Sequence, residues 1–509
     1  METTAKAKLE KNFNRTDTVF AFTALACGFL YWNLIKLPLF GAGVTVFAVA
    51  LFGSSFFYLS KSEVKQNPGS LLLLTFAGFS AAQFTLFDNR FISGLNFIFL
   101  SAVFVYWICL SAGRRIDTKL SAYIVGDAIK QGMSIPLLNF GCCASGMKSF
   151  SKHGKMKEIL SVLISILLFL PLIIIVVSLL TTADLAFENF VNRILEAVSF
   201  AKVIIYTMHF IFGIPVAFYL YGLIYGNAKG RHTDAITVES VDDAAKALRF
   251  APRPAVYSVL TVFNVIYLMF FAVQAVYFFS AFSGYLPDTF TYAEYARRGF
   301  FEMCAVAGIN LGVIIIAQLT IKREKTENPG ALRIQITIIS LFTILLIATA
   351  LSKMAMYIDM YGLTQKRVFT SWFMIVLLFV FLMICVRQLF KFNSARIIIT
   401  GSALMFMALT YCNADRLISE YNIGRYEAGS LPELYADIES TAGLSDAAVP
   451  STYDLYLRTD ENDIEMRLML ASSIMEGAGT GKNDFRIFNF QRYKADEIRA
   501  LLTENIPDK

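Results

Sequence analysis

Reactive and metal-binding side chains are scarce in this chain. Only three histidines occur among its 509 residues, no HExxH pair is present, and no Cys/His spacing suits zinc. The seven cysteines do not amount to a framework. Cys27, Cys109, Cys304, Cys385 and Cys412 fall within or at the edge of apolar runs, Cys142 and Cys143 are neighbours, and none follows Cys412, so nothing points to a disulfide-stapled outer domain. A nucleotide loop is missing too. Gly477-Ala478-Gly479-Thr480-Gly481-Lys482 has the glycines of one, but Glu476 stands where the first glycine belongs and Asn483 where Ser or Thr should follow. The serines form no nucleophile elbow. Charge itself is sparse, at 17% of residues against 56% hydrophobic, which argues against a soluble hydrolase.

What fills the chain instead is a series of eleven apolar stretches, near 18–35, 39–60, 70–87, 91–111, 159–181, 202–225, 255–282, 300–320, 335–357, 368–390 and 396–412. A bilayer core about 30 Å thick needs about 20 apolar residues per helix. The sequence therefore predicts an all-α, polytopic membrane bundle. The first stretch follows Lys6, Lys8, Lys11 and Arg15 as a signal peptide would, yet it is long and lacks a small-residue cleavage site, so it reads as an uncleaved first helix.

Charge predicts the orientation. With the N-terminus in the cytoplasm, the inner segments carry twenty-six Lys and Arg, among them Arg114, Arg115, Lys148 and Lys322. The outer loops carry nine, among them Lys36, Arg90, Arg297 and Arg298. Short loops rich in Lys and Arg stay inside, and eleven spans then place the C-terminus outside. The expected division is a bundle over 1–412 and an acidic, extracytoplasmic, helical tail over 413–509, where ten basic residues meet eighteen acidic ones. This charge distribution fits lipid head groups and not nucleic acid.

Two loops are expected to lie at the interface. The inner loop around 121–140 is too apolar for free solvent and too broken for a span, and DLAFENFVNRILEAVSFA over 184–201 has helical amphipathic spacing, giving interfacial helices near 121–140 and 184–200. In the tail, Pro432–Ile438, Ile464–Leu470 and Tyr493–Leu502 have the pattern of short helices.

The segment Tyr292-Ala293-Glu294-Tyr295-Ala296-Arg297-Arg298-Gly299-Phe300-Phe301-Glu302 is distinctive, continuing to Ile309-Asn310-Leu311. Thr182-Ala183-Asp184, the run Tyr219–Gly226, Gln274 with Tyr277, Tyr421–Tyr426 and Asp446–Pro450 accompany it. Over about residues 120 to 455 the chain resembles an uncharacterised family of bacterial polytopic membrane proteins, catalogued as a domain of unknown function. The resemblance implies placement in a bacterial cytoplasmic membrane and supplies no activity, cofactor or residue roles.

The strongest candidate site is within that motif. On a helix, Glu294 precedes Arg297 and Arg298 by three and four residues, and Arg298 precedes Glu302 by four, so the charges can form a ladder. Such a ladder is either a structural ion-pair network or, through the arginine forks, a site for an anion or lipid head group. His209, Asn264, Gln274 and Asn310 are polar groups within spans. They serve either as hydrogen-bonding glue between helices or as the lining of a polar cavity. Gly308 and Gly312 are spaced for close helix packing, and Pro171, Gly213 and Pro215 mark kinks or interrupted helices. No catalytic residue, metal or cofactor is assigned.

Three functions remain open. Transport of an anionic or lipid-linked solute requires a polar cavity at mid-depth reached by His209, Gln274 or Asn310. A non-enzymatic sensor or assembly partner, recognising a membrane protein through its outer domain, calls for an exposed patch near Tyr421, Tyr426 and Tyr435. A transferase on a lipid carrier would use Glu294, Glu302 or Asp184 as base.

Overall fold

The computed structural model describes residues 13–150, 200–283, 300–322, 330–430, 443–476 and 484–505, with scattered positions between 165 and 191. Among the described residues the chain is all-α. Its one extended pairing is a parallel bridge between Ala251 and Ile321.

Asn14 starts helix α1 (Arg15–Leu34): its side chain accepts from the Asp17 amide at 2.8 Å while Asp17 accepts from the Asn14 amide at 3.1 Å. These reciprocal bonds satisfy amides that the first helical turn leaves orphaned. Helix α2 spans Ala42–Lys61. Asn67 and Ser70 form the same box ahead of α3 (Pro68–Leu86), and Asn89 caps α4 (Arg90–Ser111) through the Ile92 amide at 2.9 Å. Next come α5 (Ile124–Ile129), a π turn over Lys130–Ser134, α6 (Ile135–Leu138) and α7 (Cys142–Phe150). Long helices resume with α8 (Phe200–Lys229), followed by a short α9 (Val238–Ala247), then α10 (Arg253–Ser283), α11 (Phe300–Thr320), α12 (Gly330–Tyr361), α13 (Gln365–Leu389) and α14 (Ser394–Tyr411). The C-terminal helices are α15 (Ala414–Glu427), α16 (Val449–Arg458), α17 (Ile464–Met475) and α18 (Phe490–Asn505).

Nine of these, α2 to α4, α8 and α10 to α14, are long and apolar enough to cross a membrane among the described residues. The first expected span is a helix as well, α1. The fifth, 159–181, lies largely outside the described residues, as do the expected interfacial helix at 184–200 and the glycine loop at 477–482.

Two apolar cores hold the bundle. The first joins α1 to α4 with α8 around Phe20, Tyr58, Phe84, Trp107 and Tyr221. The second joins α10 to α13 around Leu260, Ile339, Ile347 and Phe381. Helix α14 touches both sides: Tyr411 donates to the Phe79 carbonyl at 2.6 Å, and the Trp372 indole donates to the Met405 carbonyl at 3.2 Å.

Within the first core, α1 and α8 approach backbone to backbone. A Cβ built on Gly28 would lie 2.2 Å from the Gly213 carbonyl oxygen, so only glycine fits this crossing. Helix α8 continues through Pro215 without a break, and the Trp32 indole donates to the nearby Phe212 carbonyl at 2.9 Å. The expectation for the eighth span is corrected. Among the described residues nothing lies within 4 Å of a Cβ built on Gly308 or Gly312, so neither marks a close helix crossing there.

The expected interfacial segment is helical and inverted in polarity. Asp127, Lys130, Gln131 and Asn139 point inward, while Val125, Ile129, Met133 and Leu137 form an exposed apolar stripe. The buried side is consumed by the protein: the Asp127 carboxylate accepts from the Ile116 amide at 2.9 Å, Lys130 donates to the Arg114 carbonyl at 2.9 Å, and Gln131 accepts from Asn227 at 2.7 Å. An outward apolar stripe over a polar underside bonded to the protein through Asp127, Lys130 and the Gln131 oxygen suits a helix lying in the membrane interface.

Candidate functional site

The C-terminal helices sit on the bundle at the end where α1 finishes and α2 begins. The Phe488 carbonyl accepts from the Ala42 amide at 2.8 Å, capping α2, whose own N-cap residue, Gly41, has no side chain to offer. A Cβ on Gly41 would meet the Ile487 backbone at 2.4 Å. Arg486 donates to the Asn33 carbonyl at 3.3 Å, satisfying the end of α1, and is gripped in turn by Asp484 at 2.6 Å.

Behind this contact is a buried charge network. Asp88, in the turn between α3 and α4, pairs with Arg492 and accepts from Asn489 at 2.8 Å, and its amide donates to Gln491 at 2.8 Å. Arg492 also lies 3.5 Å from Asp446, which Arg499 contacts at 2.6 Å. Arg499 further donates to the carbonyls of Ile474 at 2.8 Å and Glu476 at 2.6 Å, closing the end of α17. Asp415, at the start of α15, accepts from Asn89 at 2.9 Å, Gln365 at 2.8 Å and the Ser445 amide at 3.1 Å. These groups surround a polar cavity of about 390 Å³ whose wall is shared between bundle turns and C-terminal helices, with exposed Arg90 at its edge.

Three carboxylates and two guanidiniums removed from water attract strongly but have lost their hydration, so the network is costly to break on one side. Burial raises the Asp88 pKa to about 7; the Arg492 charge opposes that rise and Asp446 adds to it. Among the described residues no group of three His, Cys, Asp or Glu could hold a metal.

The candidates read from the sequence lie elsewhere. Glu294, Arg297 and Arg298 fall outside the described residues, and Glu302 is exposed in the first turn of α11. Asn264 donates to Gln335, which donates to Thr261 at 2.8 Å. Asn310, fully buried, accepts from Tyr267 and donates to Thr343 at 2.8 Å. Both asparagines thus tie α10, α11 and α12 together. Gln274 lies on α10, its side chain outside the described set. His209 is half-buried, edge-on to Phe29 and Tyr206, with Nδ1 lacking a hydrogen-bond partner among the described residues. Asp184 caps a turn through the Phe187 amide at 2.7 Å. Tyr421 is partly exposed and stacked by Arg425, Tyr426 packs against the C-terminal core, and Tyr435 is outside the described residues.

Sequence reasoning missed the network because its members are spread over four hundred residues. The available signal was local: Asp88-Asn89-Arg90 is a polar run between Leu86-Phe87 and Phe91-Ile92.

Comparison with known proteins adds a family. No curated protein and no solved structure matches the chain. Residues 69–455 match the family described as a domain of unknown function (DUF4153), which takes in Asp88, Asp415 and Asp446 but stops short of Arg492 and Arg499. With well over half of its length in that match, the chain belongs to the DUF4153 family of proteins of unknown function.

Proposed function

We propose that this protein is a non-enzymatic membrane sensor or assembly protein, whose C-terminal helices are extracytoplasmic and change their seating on the bundle when a small polar ligand enters the cavity between them. The observation that carries the reading is the shared wall: Asp88, Gln365 and Asp415 come from the bundle side, Asp446, Arg492 and Arg499 from the C-terminal side. A ligand in that wall competes directly with the bonds that hold the two together, which couples occupancy to position.

Orientation rests on charge. Loops on the face that bears the C-terminal helices belong to the set with nine basic residues, and the opposite face to the set with twenty-six, which favours a bacterial cytoplasmic membrane with the C-terminal helices outside. Transport has weaker support. Asn310 and the amide nitrogen of Asn264 spend their hydrogen bonds on neighbouring helices, and α8 offers no unwound backbone at Pro215.

The test is native mass spectrometry of protein extracted with its surrounding lipid, combined with hydrogen exchange over 484–505. A small adduct on wild type, absent from Arg492→Met and accompanied by faster exchange of α18 in the variant, supports the reading. Wild type without an adduct, and with α18 exchange unchanged after exhaustive washing, counts against it.

A further inference from the structure

A second cavity, of about 430 Å³, opens inside the first core at bundle depth. Its wall is almost wholly apolar and includes Tyr31 of α1, Val44 and Phe47 of α2, Phe97 and Phe104 of α4 and Val216 of α8. Water is a poor occupant, since a buried water needs two to four polar partners. An empty groove would leave its lining without dispersion contacts. Within a bilayer the available filler is hydrocarbon.

The groove has a defined upper end. Tyr31 is three residues from the end of α1 and Val44 two residues into α2, so the loop 35–41 that joins these helices crosses its mouth. On that loop Lys36 is only half exposed and has no hydrogen-bond or ion-pair partner among the described residues. Burial and the nearby Arg486 charge hold its ammonium below the usual lysine range, while Asp484 partly offsets them. His209, with its partnerless Nδ1, lies within electrostatic range of both cations.

We infer that this groove is a phospholipid site, holding one acyl chain between α2, α4 and α8 and the phosphate of an anionic head group against Lys36. The occupant is chosen by charge: Lys36 and Arg486 outweigh Asp484 at the mouth, and one net positive charge favours an anionic lipid over a zwitterionic one by about five-fold. The site is independent of the charged seam, sharing no residue with it.

Trp107 provides the probe. It is fully buried and packs at a tilt on Phe52 and Phe104 of the groove wall, 5.3 and 6.2 Å between ring centres, so a brominated chain in the groove is separated from it by one ring. The variant Trp32→Phe with Trp372→Phe leaves it as the sole tryptophan of the three. In phosphatidylcholine vesicles doped with chain-brominated phosphatidylglycerol, Trp107 should be half-quenched at about one fifth of the mole fraction needed with brominated phosphatidylcholine. Adding Lys36→Gln should bring the two lipids together, and adding Val216→Phe, which fills the groove, should abolish quenching by both. Thermal melting confirms that each variant is folded. Equal quenching by the two lipids, an unchanged preference in Lys36→Gln, no quenching at all, or quenching that survives Val216→Phe would each overturn the assignment.

Discussion

Asp88 and Arg492 show how much depends on one buried pair. Both are under a tenth exposed, and each is the other's main compensation. At pH 8, where Asp88 is ionised, Arg492→Met should cost about 3–5 kcal/mol, because Asp88 and Asp446 are left with fewer partners in a dry setting. Chemical unfolding in detergent measures this, and Asp88→Leu placed on Arg492→Met should recover much of the loss. The same pair gives a pH dependence. The seated carboxyl of Asp88 holds its proton up to about pH 7, against 3.8 for the free group, so the seated state binds more protons between these values. Its contribution is therefore fullest below 3.8 and is lost as pH rises towards 7. Corrected for the intrinsic pH dependence of amide exchange, the protection of α18 should fall from pH 5 to 7.5 in wild type and change less in Asp88→Asn. None of this was legible in the sequence, where Asp88, Asp446 and Arg492 are single charges in unrelated segments. Asn264 and Asn310 were legible as polar residues in spans, and their neighbours decided between glue and cavity.

Among the elements, the α1–α8 crossing is set by absence of side chain. Gly28→Val places two methyl groups where the Gly213 carbonyl already lies 2.2 Å from a Cβ position. It should lower the melting midpoint in detergent more than Gly308→Val, whose surroundings are open. In sequence the two sites look alike; small-residue spacing marks where helices can approach, and the facing helix determines whether they do. The stretch 124–138 shows the converse. Its broken apolar character was enough to set it apart from the spans, and the segment is helical, but the sequence did not reveal that the polar side faces the protein. Met133→Glu, on the exposed stripe, should leave the melting midpoint in detergent nearly unchanged, whereas Gln131→Leu should lower it by removing a bond to Asn227.

At the scale of the whole molecule, spans were readable because hydrocarbon thickness imposes a run length that no local exception disguises. Nine of the expected eleven positions carry helices of the required length and hydropathy, and a tenth carries α1. What joins the C-terminal helices to the bundle was not readable, since it depends on long-range partners and not on periodicity. A reporter fused after residue 505 tests the sidedness: alkaline phosphatase should be active there and green fluorescent protein dark, and the reverse would place these helices in the cytoplasm.

The seat of residues 486–492 on the corner of α1 and α2 has a consequence for synthesis. Asn489 leaves the ribosome 401 residues after Asp88, the carboxylate it contacts, and Phe488 later still than the Ala42 amide it caps. The first four helices are made early and then wait, with an open start on α2 and an unpaired acid in the α3–α4 turn, until residues 486–492 follow. A nascent chain that stalls before α18 exposes that defect at its oldest part, where membrane quality control can distinguish an unfinished molecule from a finished one.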